Sequence, residues 1–347
     1  MVGIAPTNVA FHVMYACPLS CAHCCFASSP DRSESLQVQH VKHLMSELAD
    51  AKDHDDFFGK LRTIVFTGGE PFLLGKGLVE LVSTATSLGF KTQVVTSGYW
   101  AKSDVGSARR LSKLKDAGLG GLTLSWDDYH AEFVDASVAR RAYQAAKRGG
   151  VPVTVASVVT EDCYWTGSTI NSFFSLGDGD EVRVLESELN LTGRAAEVLR
   201  GSPVRSDRYL GPCSYVITGP AVNANGNLLA CCGAVPELDQ LVAKRSVADV
   251  GGIAQALKDV TQSALFQWIY LKGPYDILRW MSERYGVATP SEGDVHGNCE
   301  ACYILFNSEE LRPLIEHAVR ERASEIAGEL NFLDALGWLS AEKIRQL

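Results

Sequence analysis

Short apolar runs alternate with stretches of helical spacing through residues 8–190. NVAFHVMYAC reads as a buried strand that ends at a cysteine. SLQVQHVKHLMSELADAK follows, with Leu36, Val41, Leu44 and Leu48 on one helical face and Ser33 or Ser35 as the expected cap. RTIVFTGG is a second strand, and GLVELVSTATSLG a helix closed by Gly89. The alternation continues with TQVVTSG, SARRLSKLKDAG, GLTLSWD, SVARRAYQAAKRGG and VPVTVASVV. A short helical piece near 168–175 and the strand EVRVLES complete six β/α units. Unbroken apolar strands suit a parallel sheet covered by helices.

Such a series can close into a barrel, stay open as a partial one, or wind both ways, and periodicity alone does not choose. In each case the site lies at the C-terminal strand ends. The chemically suspicious residues fall there: Cys17 to Cys24, Gly68 to Glu70, Thr96 to Gly98, and Ser125 to Asp127. Beyond residue 195 the pattern changes to scattered cysteines and a helical stretch near 252–286, then an amphipathic tail. Three regions are therefore expected: 1–195, 196–306 and 307–347.

Composition narrows the class. Apolar residues make up 46% and charged ones 21%, and the net charge is −9, so a folded, acidic protein is expected. No basic run long enough for a nucleic-acid footprint is present. The first residues lack the basic and apolar regions of a signal peptide, and no apolar run spans a bilayer. A cytoplasmic protein with no membrane or nucleic-acid partner is expected. Ten cysteines in such a chain point to metal or thiol chemistry rather than to disulfides.

Cys17, Cys21 and Cys24 put three thiolates in one loop. Zinc usually takes four ligands in two pairs, and the adjacent Cys25 is poorly placed to be the fourth. A cubane iron–sulfur cluster held by three thiolates keeps one iron open. With these residues the sequence resembles the radical S-adenosylmethionine (SAM) enzymes over residues 8–195. The motif C-x₃-C-x-aromatic-C is matched by Cys17, Cys21 and Cys24, with His23 where Phe, Tyr or Trp is commoner. TGGEP, with Gly68, Gly69 and Glu70, looks like the motif that meets the methionine ammonium of SAM. Thr96, Ser97, Ser125 and Asp127 occupy positions similar to ribose and methionine contacts, and Arg194 the place of a carboxylate partner. The family's G-x-I-x-G-x-x-E pattern near the fifth strand is not recognisable. The resemblance implies a partial (β/α)₆ barrel of the TIM-like kind, and a 5′-deoxyadenosyl radical made by reductive cleavage of SAM.

Cys213, Gly226 and Cys231 are spaced C-x₁₂-G-x₄-C, with a hairpin turn expected at Asn225-Gly226. This resembles the opening of the SPASM/twitch extension of radical SAM enzymes. With Cys299 and Cys302 it supplies four ligands, which implies an auxiliary [4Fe–4S] cluster; a structural zinc site is the competing reading. Cys25 and Cys163 are expected to be packing thiols. Cys232 follows an expected ligand directly, and the arrangement resembles radical SAM peptide epimerases of the epipeptide type, in which a cysteine returns a hydrogen atom to the substrate. The leading expectation is thus an epimerase converting an L- to a D-residue during maturation of a ribosomally made peptide, with Cys232 as donor. A maturase forming a thioether or carbon–carbon crosslink is the alternative, then an enzyme acting on a sugar or amino acid. A zinc-stabilised binding module is the non-enzymatic reading. A one-electron donor such as flavodoxin or ferredoxin is implied as partner. No leader-recognition domain is seen ahead of the first strand, which leans toward small or leader-independent substrates. Asp128 and His130 are weaker acid–base candidates, and Trp100, Trp126 and Trp165 candidate channel or core residues.

Overall fold

The computed structural model describes residues 4–177, 180–201, 209–231 and 251–344. Six strands run parallel in simple succession: β1 (Asn8–Met14), β2 (Thr63–Gly68), β3 (Lys91–Thr96), β4 (Gly121–Ser125), β5 (Val153–Val159) and β6 (Val184–Glu188). Helices α1 (Val38–His54), α2 (Lys76–Ser87), α3 (Asp104–Asp116), α4 (Asp128–Ala131), α5 (Ala136–Arg148) and α6 (Gly167–Phe174) connect them. This is the expected α/β partial barrel. The strands form because their inward residues bury against one another, all but the first in β1 and alternate ones in β2 and β3, with Phe11 on Phe66 at 6.4 Å. Each such side chain contributes roughly 1.5–3 kcal/mol on burial.

The expected serine cap of α1 is corrected. The helix starts at Val38 after Gln37, and no side chain caps it. Ser35 instead bridges to Met14, and its hydroxyl donates to the Val13 carbonyl, so residues 35–36 extend β1's pairing before the helix can begin. The apolar stripe of Val41, Leu44 and Leu48 is buried as expected, joined by Met45. Trp100, Trp126 and Trp165 are all core residues.

After α7 (Arg194–Val198), the hairpin β7 (Ala221–Val222) and β8 (Leu228–Leu229) returns to the far side of β1 and extends the sheet to eight strands. Its turn is closed by Gly226 at φ +85° and by the Asn223 Oδ1, which accepts from the Asn225 and Asn227 N–H groups. Helices α8 (Ile253–Gln262), α9 (Ala264–Lys272), α10 (Pro274–Tyr285), α11 (Asn298–Asn307), α12 (Arg312–Ala335) and α13 (Ala341–Ile344) follow. The Glu47 carboxylate of α1 accepts from the first N–H of α8 at 2.9 Å, and Lys258 of α8 pairs with Asp55. No helix among the described residues is long and apolar enough to cross a membrane.

Candidate active site

The cysteine loop leaves β1 and is held by its own backbone and by two neighbours. Cys24 and Ala27 N–H groups donate to the Cys21 and Cys24 carbonyls at 3.1 Å each, and Ala27 takes φ +48°. The turn after β2 docks beneath. Gly69 N–H reaches the Met14 carbonyl at 2.7 Å, and a Cβ on Gly69 would sit 2.2 Å from the Ala16 carbonyl oxygen. Only glycine allows that approach. On the other side the Arg194 guanidinium donates to the carbonyls of Cys21 and Ser28 at 2.8 and 2.7 Å. Gly193, at φ +56°, permits the same closeness to the Cys25 carbonyl.

Cys17, Cys21 and Cys24 open onto a cavity of about 300 Å³ at the strand ends, shared with Gly68, Gly69, Thr96, Ser97, Ser125 and His23. Nine of the residues singled out from sequence thus line one space. Glu70, Asp127 and Arg194 do not line it; they stand behind it. The fully buried Glu70 carboxylate accepts from Thr96 Oγ1 (2.8 Å), Ser97 N–H (3.0 Å), Ser97 Oγ (2.6 Å) and Phe72 N–H (3.1 Å). Burial pushes this carboxyl up against four hydrogen bonds that favour its ionised form. Asp127, equally buried, accepts from the His130 N–H and ring Nδ1, and from Val158 N–H, and lies 3.5 Å from His23 Nε2. Burial opposes its charge, but the imidazoles of His130 and His23 hold it well below the usual carboxylate range. His23 stacks on Tyr129 at 4.7 Å, and burial lowers its pKa to about 4, so it is neutral at pH 7.

Sequence reasoning missed Ser187 and Asn190, which line the cavity beyond β6, and gave His130 too little weight. The signal for the first two was available: four strand ends carried site residues, and the sixth ends in the equally polar ESELN. The contact of His130 with Asp127 needed the i,i+3 geometry of α4's first turn.

The donor set fits an iron–sulfur cluster. Desolvation pushes Cys17 up to about 12 and Cys21 higher still, so these thiols gain charge only when a cation compensates it. Among the described residues, the group of three ligand atoms lying mutually within 4.8 Å joins Cys21 to His23 and His130, not to Cys17 and Cys24. The three motif thiols are spread wider than one zinc ion, with Zn–S near ~2.3 Å, would draw them.

The second cysteine set converges from three segments. Cys302 is half-buried, and its thiol is pushed well up by desolvation first and then by the nearby Cys213, Cys231 and Cys299. Cys299 and Cys302 share one face of α11, three residues apart. Asn298 Nδ2 donates to the Gly211 carbonyl at 2.9 Å, which ties α11 to the segment of Cys213. Cys232 lies outside the described residues.

Residues 11–160 match the family model of the Radical SAM superfamily, which implies SAM and a [4Fe–4S] cluster as cofactors of this region. Among curated proteins, the chain is 28% identical over 156 residues to YydG of Bacillus subtilis, named as a peptide biosynthesis protein; the match covers 45% of this chain and 47% of that one. It is 34% identical over 131 residues to a PqqA peptide cyclase of Bradyrhizobium diazoefficiens, covering 38% and 31%. The chain thus spans less than half the length of these curated relatives. The solved structure of BtrN in complex with AdoMet and 2-DOIA is similar at 14% identity and a TM-score of 0.40, over 91% of this chain and 89% of that one.

Proposed function

We propose, from the radical SAM character of residues 11–160, that this protein modifies a peptide by radical chemistry and that the outcome is epimerisation of an L- to a D-residue. The observation that carries the reading is the meeting of Cys17, Cys21 and Cys24 with the ends of five strands in one cavity. The names of the relatives, a peptide biosynthesis protein and a peptide cyclase, support a peptide substrate.

Cys17, Cys21 and Cys24 would hold the cluster. When bound, cluster and SAM supply a 5′-deoxyadenosyl radical through one-electron cleavage of SAM. The chain's own residues bind and orient. Gly68 and Gly69 admit the ligand to the backbone, Ser97, Thr96 and Ser125 offer hydroxyls, and His23 offers a neutral ring face. Glu70 fixes the two β3 hydroxyls from behind, Asp127 fixes His130, and Arg194 fixes the cysteine loop. The SAM contacts expected of these three residues would come in addition to this positioning. Cys213, Cys231, Cys299 and Cys302 would hold an auxiliary cluster. Cys232, next in the chain to Cys231, would give its S–H hydrogen atom to the substrate carbon radical. Its thiyl then regains one electron and one solvent proton, the electron coming from an external carrier, so that the substrate is inverted with no net redox change.

The test is turnover in D₂O with candidate peptides, wild type against Cys232→Ala. One deuterium gained by wild type, and lost with turnover in the variant, supports the epimerase. Loss of two hydrogens by both proteins overturns it in favour of a crosslinking maturase, the second reading, which the match to a peptide cyclase supports.

A further inference from the structure

Outside the active site, four cations converge on a groove between α2 and α3. Lys76, Arg109, Arg110 and Lys113 line a cavity of about 250 Å³ whose floor is the apolar Phe72, Leu78, Val79 and Leu114. Arg109 and Lys113 stand four residues apart on one helix, and Arg110 and Lys113 three, an arrangement that repels itself unless something anionic answers it. The neighbouring carboxylates do not. Glu80 of α2 is taken by Lys42 at 2.6 Å, Asp104 of α3 by Arg141 at 3.1 Å, and Asp116 accepts from Ser112. Among the described residues none of the four cations has an ion-pair partner. In a chain of net charge −9, so concentrated a positive surface is a local feature and not a consequence of composition. The apolar floor, with the exposed Leu73 next in the chain to Phe72, suits a protein partner rather than a free anion.

The groove also lies on the back of the cysteine loop. Phe72, in its floor, donates its N–H to Glu70 and stacks on Trp100 at 4.3 Å, and Glu70 N–H in turn donates to the Ala16 carbonyl, beside Cys17. Trp100 in turn donates its Nε1–H to Thr96 Oγ1 at 3.0 Å, and Thr96 lines the cavity, so these rings, with the half-buried Tyr99 next in the chain, stand between groove and cavity.

We propose that this groove is the docking surface for a small acidic one-electron carrier protein, which delivers its electron through the wall formed by Phe72, Tyr99 and Trp100 to the cluster held at Cys17. The carrier is oxidised by one electron and the cluster reduced by one; no bond forms and no proton moves. Such an encounter is transient and steered by charge, so its affinity falls as salt rises. The inference rests on the radical SAM reading.

The experiment uses cluster-reconstituted enzyme with SAM, without substrate, and reads 5′-deoxyadenosine formation together with the Kd for flavodoxin. One set of reactions is driven by reduced flavodoxin, the other by dithionite. The variants are Arg109→Glu/Arg110→Glu/Lys113→Glu and, at the opposite end of the strands, Lys91→Glu. The triple variant is expected to weaken flavodoxin binding, and slow the flavodoxin-driven rate, by roughly tenfold or more at low salt, with the dithionite rate unchanged and Lys91→Glu neutral. Unchanged flavodoxin affinity in the triple variant overturns the proposal, as does a fall with dithionite of the same size. A wild type that forms no 5′-deoxyadenosine with dithionite sinks the radical SAM reading instead, and the Kd comparison still decides the docking surface.

Discussion

The two cysteine sites are built in opposite ways. In the first, three proposed ligands lie within eight residues, on a loop whose shape is set by its own turns and by Gly69 and Arg194 pressing on either side. In the second, the four cysteines proposed as ligands come from positions 213 to 302 and meet because β7 pairs with β1, and α11 is tied to Gly211. The first is a local structure braced by the fold, the second a product of the fold. Removing one ligand should therefore have different consequences.

Cys17→Ala is expected to abolish SAM cleavage, a fall of about a thousandfold or more, since the proposed cluster and the open iron it would offer to SAM are lost. Cys302→Ala should leave substrate-free SAM cleavage within a few fold while halving bound iron and lowering the melting temperature. Iron analysis, 5′-deoxyadenosine assays and calorimetry on both proteins check this. Equal loss of SAM cleavage in the two variants would break the distinction.

The same contrast governs the braces. Arg194→Ala removes two charge-assisted bonds, worth roughly 1.5–3 kcal/mol each, from the carbonyls of Cys21 and Ser28. The expected result is a SAM Kd raised about tenfold or more. Lysine cannot span both carbonyls with a fork, so Arg194→Lys should rescue little. Asn298→Ala removes one neutral bond, from the Gly211 carbonyl, and should cost only about 1 kcal/mol of stability with no change in SAM affinity. Titration calorimetry with SAM separates the two.

The contrast also accounts for what could be read without coordinates. The first site was legible because its spacing, the glycines of TGGEP and the strand-end positions are all local patterns. The direction in which Glu70, Asp127 and Arg194 point was not, because it depends on which donors β3, α4 and the cysteine loop bring within hydrogen-bond reach. Glu70 turns to Thr96 and Ser97 since a fully buried carboxylate needs its lone pairs filled by the nearest N–H and O–H groups. The late start of α1 failed for a related reason: Ser35 had a better partner across the chain in Val13 than in the helix it precedes. The convergence of Cys213 with Cys302 is long-range and lies in no single window of sequence, so it was expected only through the resemblance to the SPASM/twitch extension.

The two regions share one strand, and it carries a titratable group. His12 on β1 pairs in register with Thr67 of β2, while its neighbours Ala10 and Phe11 pair with β7 on the other side. His12 is fully buried against Phe26, at 4.4 Å, with no hydrogen-bond partner for either ring nitrogen among the described residues. Burial lowers its pKa from 6.5 to about 4. Between those values the unfolded chain binds a proton that the folded chain refuses, so stability is full above pH 6.5 and falls as pH drops toward 4. The full loss is on the order of 3 kcal/mol. His12→Phe keeps the tilted ring contact with Phe26 and removes the titration. Its stability should fall less than that of wild type between pH 7 and 5, by about 2 kcal/mol, the remaining fall coming in part from His23. Urea unfolding at the two pH values measures it. If β1 couples the sites, iron loss from both should follow the same acid limb in wild type, and shift together in the variant; loss from one site alone would show that the shared strand does not link them.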